Sequence, residues 1–271
     1  MTDRYAVIGN PIAHSKSPLI HKMFAQQTGQ DISYEAVLAP LDGFAATIER
    51  LRGEGCKGCN VTVPFKFEAL KLTTEPSERA RLAQAVNTLK FEGDAIIGDN
   101  TDGAGLIKDI ENNFRFQLQD KQVLLMGTGG AAYGAAAALA KVNAKLVMLG
   151  YRTKDKAQML ATQFNRHEEL IHIVGYPDIQ DQFDVVINAT SSGLSDEMPP
   201  LSPTIFAHGA LAYDMMYGRE TPFMKFAREH GAATVADGLG MLVEQAAEAF
   251  YIWRGVRPDS APVIAALRNQ K

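Results

Sequence analysis

A lysine, a carboxylate and a pair of serines carry the types and spacing in this 271-residue chain that could do chemistry. Lys66 closes the run Asn60-Val61-Thr62-Val63-Pro64-Phe65-Lys66, strand-like at first and helical after the proline. Period-two alternation puts Asn60 and Thr62 on one face of the strand. Pro64 suits the first turn of a helix, which sets Lys66 inside that turn. A positive helix N-terminus disfavours an ammonium, so a lysine there suits proton transfer. An ordinary surface lysine is the other reading. Asn87, Asn100, Thr101 and Asp102 add polar groups further along. Asp102 leads a helical pattern and reads equally as its N-cap or as a carboxylate that orients the Lys66 amine. Ser15 and Ser17 bracket Lys16 just after the first strand-like run. Gly9, Asn10 and Pro11 are accounted for by turn chemistry. The two hydroxyls are not, and they suit holding a polar group.

A second chemical signal begins at Gln122. The run QVLLMGTGGAAYGAAAALA is a buried strand, a glycine-rich turn and an alanine-rich helix. Gly127-x-Gly129-x-x-Ala132 fits the dinucleotide fingerprint in its G/A form. Gly127 permits the tight turn, Gly129 a close backbone approach to a pyrophosphate, and Ala132 tight helix–strand packing. A turn that binds nothing is the competing reading. No acidic residue occurs from Gly127 through Lys154, where an NAD-preferring chain places one against the ribose. Arg152, Lys154 and Lys156 stand there instead, and a cation suits a 2′-phosphate. NADP is therefore the expected cofactor, unless Arg152 is only a solvated surface charge.

The elements that must position these residues alternate along the chain. Strand patterns fall at 4–8, 33–37, 58–63, 87–91, 95–98, 122–126, 145–149, 170–174, 184–188, 210–214 and 232–235. Helical patterns fall at 17–28, 42–53, 103–113, 131–141, 221–230 and 239–254. The alternation predicts an α/β fold with mostly parallel sheets. So many strands exceed one open sheet, and a fresh nucleotide-binding unit starts mid-chain, so two domains with a cleft between them are expected. Hydrophobic residues make up 46% and charged residues 21%, enough for a real core. A net charge of −4 gives no basic footprint for nucleic acid, and a small-molecule partner is expected. No run is long and apolar enough to span a membrane. Met1-Thr2-Asp3-Arg4 lacks a basic-then-apolar leader, so a cytoplasmic location is expected. Cys56 and Cys59 form a C-x-x-C pair, but two further soft ligands for zinc are missing. Two reduced thiols beside a buried strand are the expectation, with no metal. His14 and His21 read as structural.

Eight segments together resemble the shikimate dehydrogenase family: GNPIAHSKSP, NVTVPFK, AVNT, NTDGAG, GTGGAA, NATSSG, YDMMYGRETPF and ADGLGMLVEQAAEAF. They stand in that family's order from Gly9 to about Pro262. The resemblance implies NADPH-dependent reduction of 3-dehydroshikimate to shikimate, a step towards chorismate and the aromatic amino acids. It implies that Ser15 and Ser17 clamp the shikimate carboxylate. Thr62, Asn87, Asp102 and Gln245 would bind ring hydroxyls, and Tyr217 would reach the substrate from the cofactor side. Lys66 would be the catalytic lysine and Asp102 its partner. Gly127, Thr128, Gly129, Gly130 and Ala131 would form the phosphate turn. Arg152 and Thr153 would hold the 2′-phosphate, and Thr190, Met215 and Gly238 would line the rest of the cofactor path. The implied domains are a substrate domain, 1–102 plus 239–271, and a Rossmann-like NADP-binding domain, 103–238. The C-terminal helices return to the first domain. Oligomeric state is left between monomer and homodimer. The chain departs from the family pattern at Tyr133, Tyr151 and Lys22, where arginine, asparagine and asparagine are usual. The first two changes remove polar contacts to the cofactor. A quinate/shikimate dehydrogenase using NAD or both cofactors, and a catalytically idle sensor of NADPH or a cyclic carboxylate, are the alternatives. Both Lys66 and Asp102 are present, which argues against the sensor.

Overall fold

The structure is a computed structural model that describes residues 2–144, 146–151, 154–164, 171–190, 198 and 200–269. In it the chain forms two compact units, Met1–Gly105 with Leu242–Lys271, and Leu106–Met241.

The first unit opens with β1 (Asp3–Gly9), α1 (Ser17–Thr28), β2 (Ile32–Leu38), α2 (Phe44–Gly53), β3 (Cys56–Val61) and α3 (Lys66–Leu72). Then follow β4 (Glu75–Pro76), α4 (Glu78–Ala83), β5 (Thr88–Glu92), β6 (Ala95–Asp99) and α5 (Asp102–Lys108). The sheet order is β2-β1-β3-β5-β6-β4. β1 runs parallel to β2 and β3, whereas β5 is antiparallel to β3 and β6. Ala6, Ile8, Cys59, Val61 and Leu89 bury one face of this sheet against Phe44, Ile48 and Phe65.

The second unit contains β7 (Gln122–Met126), α6 (Gly130–Lys141), β8 (Leu146–Tyr151), α7 (Lys154–Phe164) and β9 (Ile171–Gly175). It continues with β10 (Phe183–Asn188), β11 (Phe206–Asp214), α8 (Pro222–Glu229) and β12 (Thr234–Ala236). Its sheet is parallel throughout, in the order β12-β11-β10-β7-β8-β9. Alternation along the strands separates two cores. Val123, Leu125, Val185 and Ile187 pack with α6 and α7, and Leu124, Met126 and Val186 pack with α8. The chain ends with α9 (Leu239–Arg254) and α10 (Ala261–Arg268). Trp253 of α9 stacks on Tyr5 of β1 at 4.6 Å and donates from Nε1 to the Leu89 carbonyl at 2.9 Å. That contact is how the C-terminal helix joins the first unit.

Three local expectations are corrected. The strand expected at 58–63 ends at Val61, because the Phe65 amide bonds the Thr62 carbonyl and starts a turn. Pro64 lies in that turn, Phe65 is the N-cap, and Lys66 is the first helical residue. The helix expected at 103–113 is α-helical to Lys108 and then π-helical over Asp109–Asn113. The widened turn sets the buried Asp109 carboxylate against Tyr213 OH (2.6 Å) and Asn113 Nδ2 (2.8 Å).

Candidate active site

Lys66 and Asp102 meet in the first unit. Lys66 Nζ donates to Asp102 Oδ2 at 2.5 Å, with side chains 18% and 9% exposed. Three backbone bonds bring their segments together. The Val86 amide bonds the Lys66 carbonyl (2.9 Å), the Asn87 amide bonds the Asp99 carbonyl (3.0 Å), and the Val61 amide bonds the Asn87 carbonyl (2.8 Å). Asp102 is not a cap. It is the first residue of α5, and Asn100 Oδ1 accepts from its amide at 3.1 Å. Its carboxylate is therefore left for side chains, and Oδ1 accepts from Asn87 Nδ2 at 2.8 Å. Asp102 is buried and Lys66 half-buried, so removing the lysine leaves a buried carboxylate without its counter-charge, which is costly.

Asn87 is the centre of the cluster. Its Nδ2 also donates to Thr101 Oγ1 (2.9 Å) and to Gln245 Oε1 (3.3 Å). Gln245 comes from α9 and is steadied by its own Nε2, which donates to the Leu242 carbonyl at 2.8 Å. The cluster joins an amine, a carboxylate and two carboxamides, the groups that would read several hydroxyls on one small ring.

The serine loop is laced to the lysine segment. The Thr62 amide bonds the Ile8 carbonyl (2.9 Å), and the Asn10 amide bonds the Val63 carbonyl (3.1 Å). Thr62 and Ser15 are half-buried, and Ser17 is buried at the start of α1. Ser15 Oγ accepts from the Ser17 amide at 3.3 Å. His14 is exposed. His21 is fully buried and stacks on Tyr34 at 4.1 Å. Cys56 and Cys59 are free and buried, and burial pushes both thiols up, away from the reactive thiolate.

In the second unit Gly127, Thr190, Met215 and Gly238 follow the C-terminal ends of β7, β10, β11 and β12. β7 and β10 are neighbours from which the strand order runs in opposite directions, the switch point where such sheets bind ligands. Gly127 follows β7 with φ +116°, and a Cβ there would lie 3.0 Å from the Ala189 carbonyl. Thr190 donates from its hydroxyl to Asn188 Oδ1 at 2.7 Å. The Met215 amide bonds the Asn188 carbonyl (3.0 Å), and the Gly238 amide bonds the Met216 carbonyl (2.9 Å). A Cβ on Gly238 would collide with the Met215 carbonyl, so the approach requires glycine. Tyr217 is half-buried, and burial pushes its phenol up.

The turn fits a dinucleotide. A Cβ on Gly129 would meet no atom within 4 Å, so open space lies above the backbone. The first turn of α6 has no acidic residue and no side-chain cap. Its amides at Gly130 and Ala131 are therefore aimed where an anion would sit, as helix dipole and free N–H groups favour. Thr128 is half-buried on the same turn. Arg152 and Thr153 lie outside the described residues. Lys154 and Lys156 are exposed on the first turns of α7.

The structure adds residues that spacing did not single out. Thr88 and Tyr34 stand behind Asn87 in one hydrogen-bonded series. Asp214 ties Asn188 Nδ2 (3.1 Å), the Met216 amide (2.9 Å) and the Thr221 hydroxyl (2.5 Å), and so closes the loop that carries Met215 and Tyr217. A threonine inside a strand and an aspartate at a strand end are too ordinary to signal such roles.

Comparison with known proteins agrees along the chain. Residues 7–89 match the shikimate dehydrogenase substrate binding domain, 109–195 the shikimate / quinate 5-dehydrogenase family, and 238–268 the shikimate 5′-dehydrogenase C-terminal domain. The shikimate dehydrogenase (NADP(+)) of Methylobacillus flagellatus is 60% identical over 98% of this chain and 99% of its own. An Ael1 enzyme from Pseudomonas putida superposes with a TM-score of 0.93 at 47% identity, over 98% of each chain. The shikimate 5-dehydrogenase of Thermus thermophilus, solved with NADP(H) and shikimate, gives a TM-score of 0.88 at 32% identity, over 98% of this chain and 99% of that one. With its two α/β units and its lysine–aspartate pair, the chain belongs to the shikimate dehydrogenase family.

Proposed function

We propose that this enzyme interconverts 3-dehydroshikimate and shikimate with NADP(H). The observation that carries the reading is the Lys66–Asp102 pair at 2.5 Å, with its aspartate buried and steadied by Asn87. Bound NADPH would supply the hydride, the chemistry no side chain offers. The chain's own residues do the rest. The Lys66 ammonium faces the reacting oxygen, offsets its negative charge and gives it the Nζ proton; in the reverse direction the amine takes that proton back. Asp102 holds the amine in place. Asp102, Asn87, Gln245 and Thr62 read the ring hydroxyls, Tyr217 reaches the substrate from the cofactor side, and Ser15 and Ser17 hold the carboxylate. Gly127, Thr128, Gly129, Gly130 and Ala131 receive the pyrophosphate, while Thr190, Met215 and Gly238 shape the remaining cofactor path. Arg152 and Thr153 take the 2′-phosphate, a role supported by their place after β8 in the sequence.

We take the enzyme to act in the cytoplasm as a monomer or homodimer on small molecules. Its two free, buried cysteines accord with a reducing compartment. Among the described residues no helix is long and apolar enough to cross a membrane.

Initial rates with shikimate or quinate, each with NADP or NAD, test the reading. Shikimate with NADP is expected to exceed every other pair by about tenfold or more in kcat/KM. Preference for quinate, or equal use of NAD, would contradict it.

A further inference from the structure

Asn87 presents a problem of symmetry. Its side-chain amide has nearly the same shape in either orientation, but only one works. With Nδ2 towards Asp102 the carboxylate accepts a hydrogen bond at 2.8 Å. Turned over, the amide oxygen would face that carboxylate, and two acceptors would repel. The orientation must be set by groups that can tell nitrogen from oxygen.

Thr101 Oγ1 tells little. It lies 2.9 Å from Nδ2 and 3.2 Å from Oδ1, and a hydroxyl can donate or accept. The Thr101 amide donates to Oδ1 at 2.9 Å and discriminates, but it belongs to the backbone. On the nitrogen side Gln245 Oε1, which can only accept, lies 3.3 Å from Nδ2; on the oxygen side, among the described side chains, Thr88 is the donor that remains. Thr88 Oγ1 lies 2.9 Å from Asn87 Oδ1 and is 3.1 Å from Asn60 Nδ2. Asn60 Nδ2 can only donate, so the Thr88 oxygen accepts from it, and the single hydroxyl proton goes to Asn87 Oδ1 at 2.9 Å in preference to Thr101 Oγ1 at 3.5 Å. Asn60 is oriented in turn. Its Oδ1 accepts from Tyr34 OH at 2.7 Å, and its Nδ2 also donates to the Asn87 carbonyl at 3.2 Å. Tyr34 lies flat against the buried ring of His21, 4.1 Å between centroids and 9° between planes. From Tyr34 through Asn60 and Thr88 to Asn87, every link therefore runs in one direction. Thr88, Asn60 and Asn87 are buried, so water does not substitute freely for any of them.

We propose that Thr88 is a positioning residue: its hydroxyl, polarised by Asn60, holds the Asn87 amide the right way round, so that Asp102 and Lys66 keep the geometry of the reacting pair. The inference rests on the reading of Lys66 and Asp102 given above. Asn60 and Tyr34 serve Thr88, and Thr88 acts only through Asn87.

The test compares Thr88→Val, which keeps the branched shape and loses the hydroxyl, with Thr88→Ser, which keeps the hydroxyl. Two readouts are taken on the full chain. The first is steady-state kinetics with shikimate and NADP. Thr88→Val is expected to lower kcat by about tenfold with KM for NADP unchanged, and Thr88→Ser to return to within about threefold of the parent. The second needs no turnover. The Asn87 side-chain amide protons, assigned in nitrogen-15 spectra by their loss in Asn87→Ala, are expected to exchange with water faster in Thr88→Val and as slowly as the parent in Thr88→Ser. Parent-like kcat and parent-like exchange in Thr88→Val would overturn the proposal, whatever its melting temperature. Equal losses in both variants would also overturn it, because shape and not the hydroxyl would then matter. If the parent fails to oxidise shikimate, the proposed function falls while the exchange comparison still decides the role of Thr88.

Discussion

Lys66, Asp102 and Asn87 define a site in which both carboxylate oxygens of Asp102 are occupied. Lys66 Nζ occupies one carboxylate oxygen and Asn87 Nδ2 the other. His21 shows the opposite situation. Both of its ring nitrogens are buried with no hydrogen-bond partner among the described residues, inside a cage of Tyr34, Phe24, Phe250 and Trp253. Burial lowers its pKa from 6.5 to about 3, weakly opposed by the neighbouring Asn60. The unfolded chain then binds a proton between those values that the folded chain refuses. Stability from this residue is complete above about pH 6.5 and is lost as pH falls towards 3. At pH 5 the loss is about 2 kcal/mol. Urea unfolding at pH 7 and pH 5 should show the parent losing about that much more than His21→Phe. Equal acid losses in the two proteins would place the sensitivity elsewhere.

The turn between β7 and α6 is the proposed seat of the cofactor's pyrophosphate. Gly127 combines φ +116° with a backbone neighbour 3.0 Å from any added Cβ. Gly127→Ala should cost about 1–3 kcal/mol of stability and displace the amides proposed to receive the pyrophosphate. Calorimetric titration should then show NADP affinity falling at least about tenfold; parent-like affinity would remove this turn from the cofactor site. The turn was legible because its strand is buried and apolar, and its helix is an alanine run. Other elements were not legible, for physical reasons. Lys66–Leu72 and Glu78–Ala83 span two turns or fewer, too short for a helical period to stand out. Glu75–Pro76 pairs over two residues at a sheet edge. The π-helical turn at Asp109 answers to Tyr213, a partner 104 residues away. Thr88 gave no signal either, because a β-branched residue in a strand is explained by the strand alone.

The whole chain carries two different sheets, one in each unit. Asn87 and Asp102 flank the antiparallel half of the first sheet, β5 and β6, and reach Lys66 and Gln245 from there. The second sheet is parallel, and the residues proposed for the cofactor follow its strand ends. α9 begins beside Gly238 and delivers Gln245 to the first unit, which is why a C-terminal residue sits among side chains from the first half of the chain. Such long-range gathering left no mark in local spacing; the resemblance pointed to Gln245 where periodicity could not. Shared orientation of these groups matters only if the amine is the proton carrier. The most direct measurement is the initial rate of NADPH formation from shikimate and NADP, for the parent and for Lys66→Ala. With Lys66 as the proton carrier, kcat falls by about a thousandfold while KM for shikimate stays within about threefold. A variant that keeps its kcat and only raises KM would show that Lys66 binds the ring and does not carry the proton.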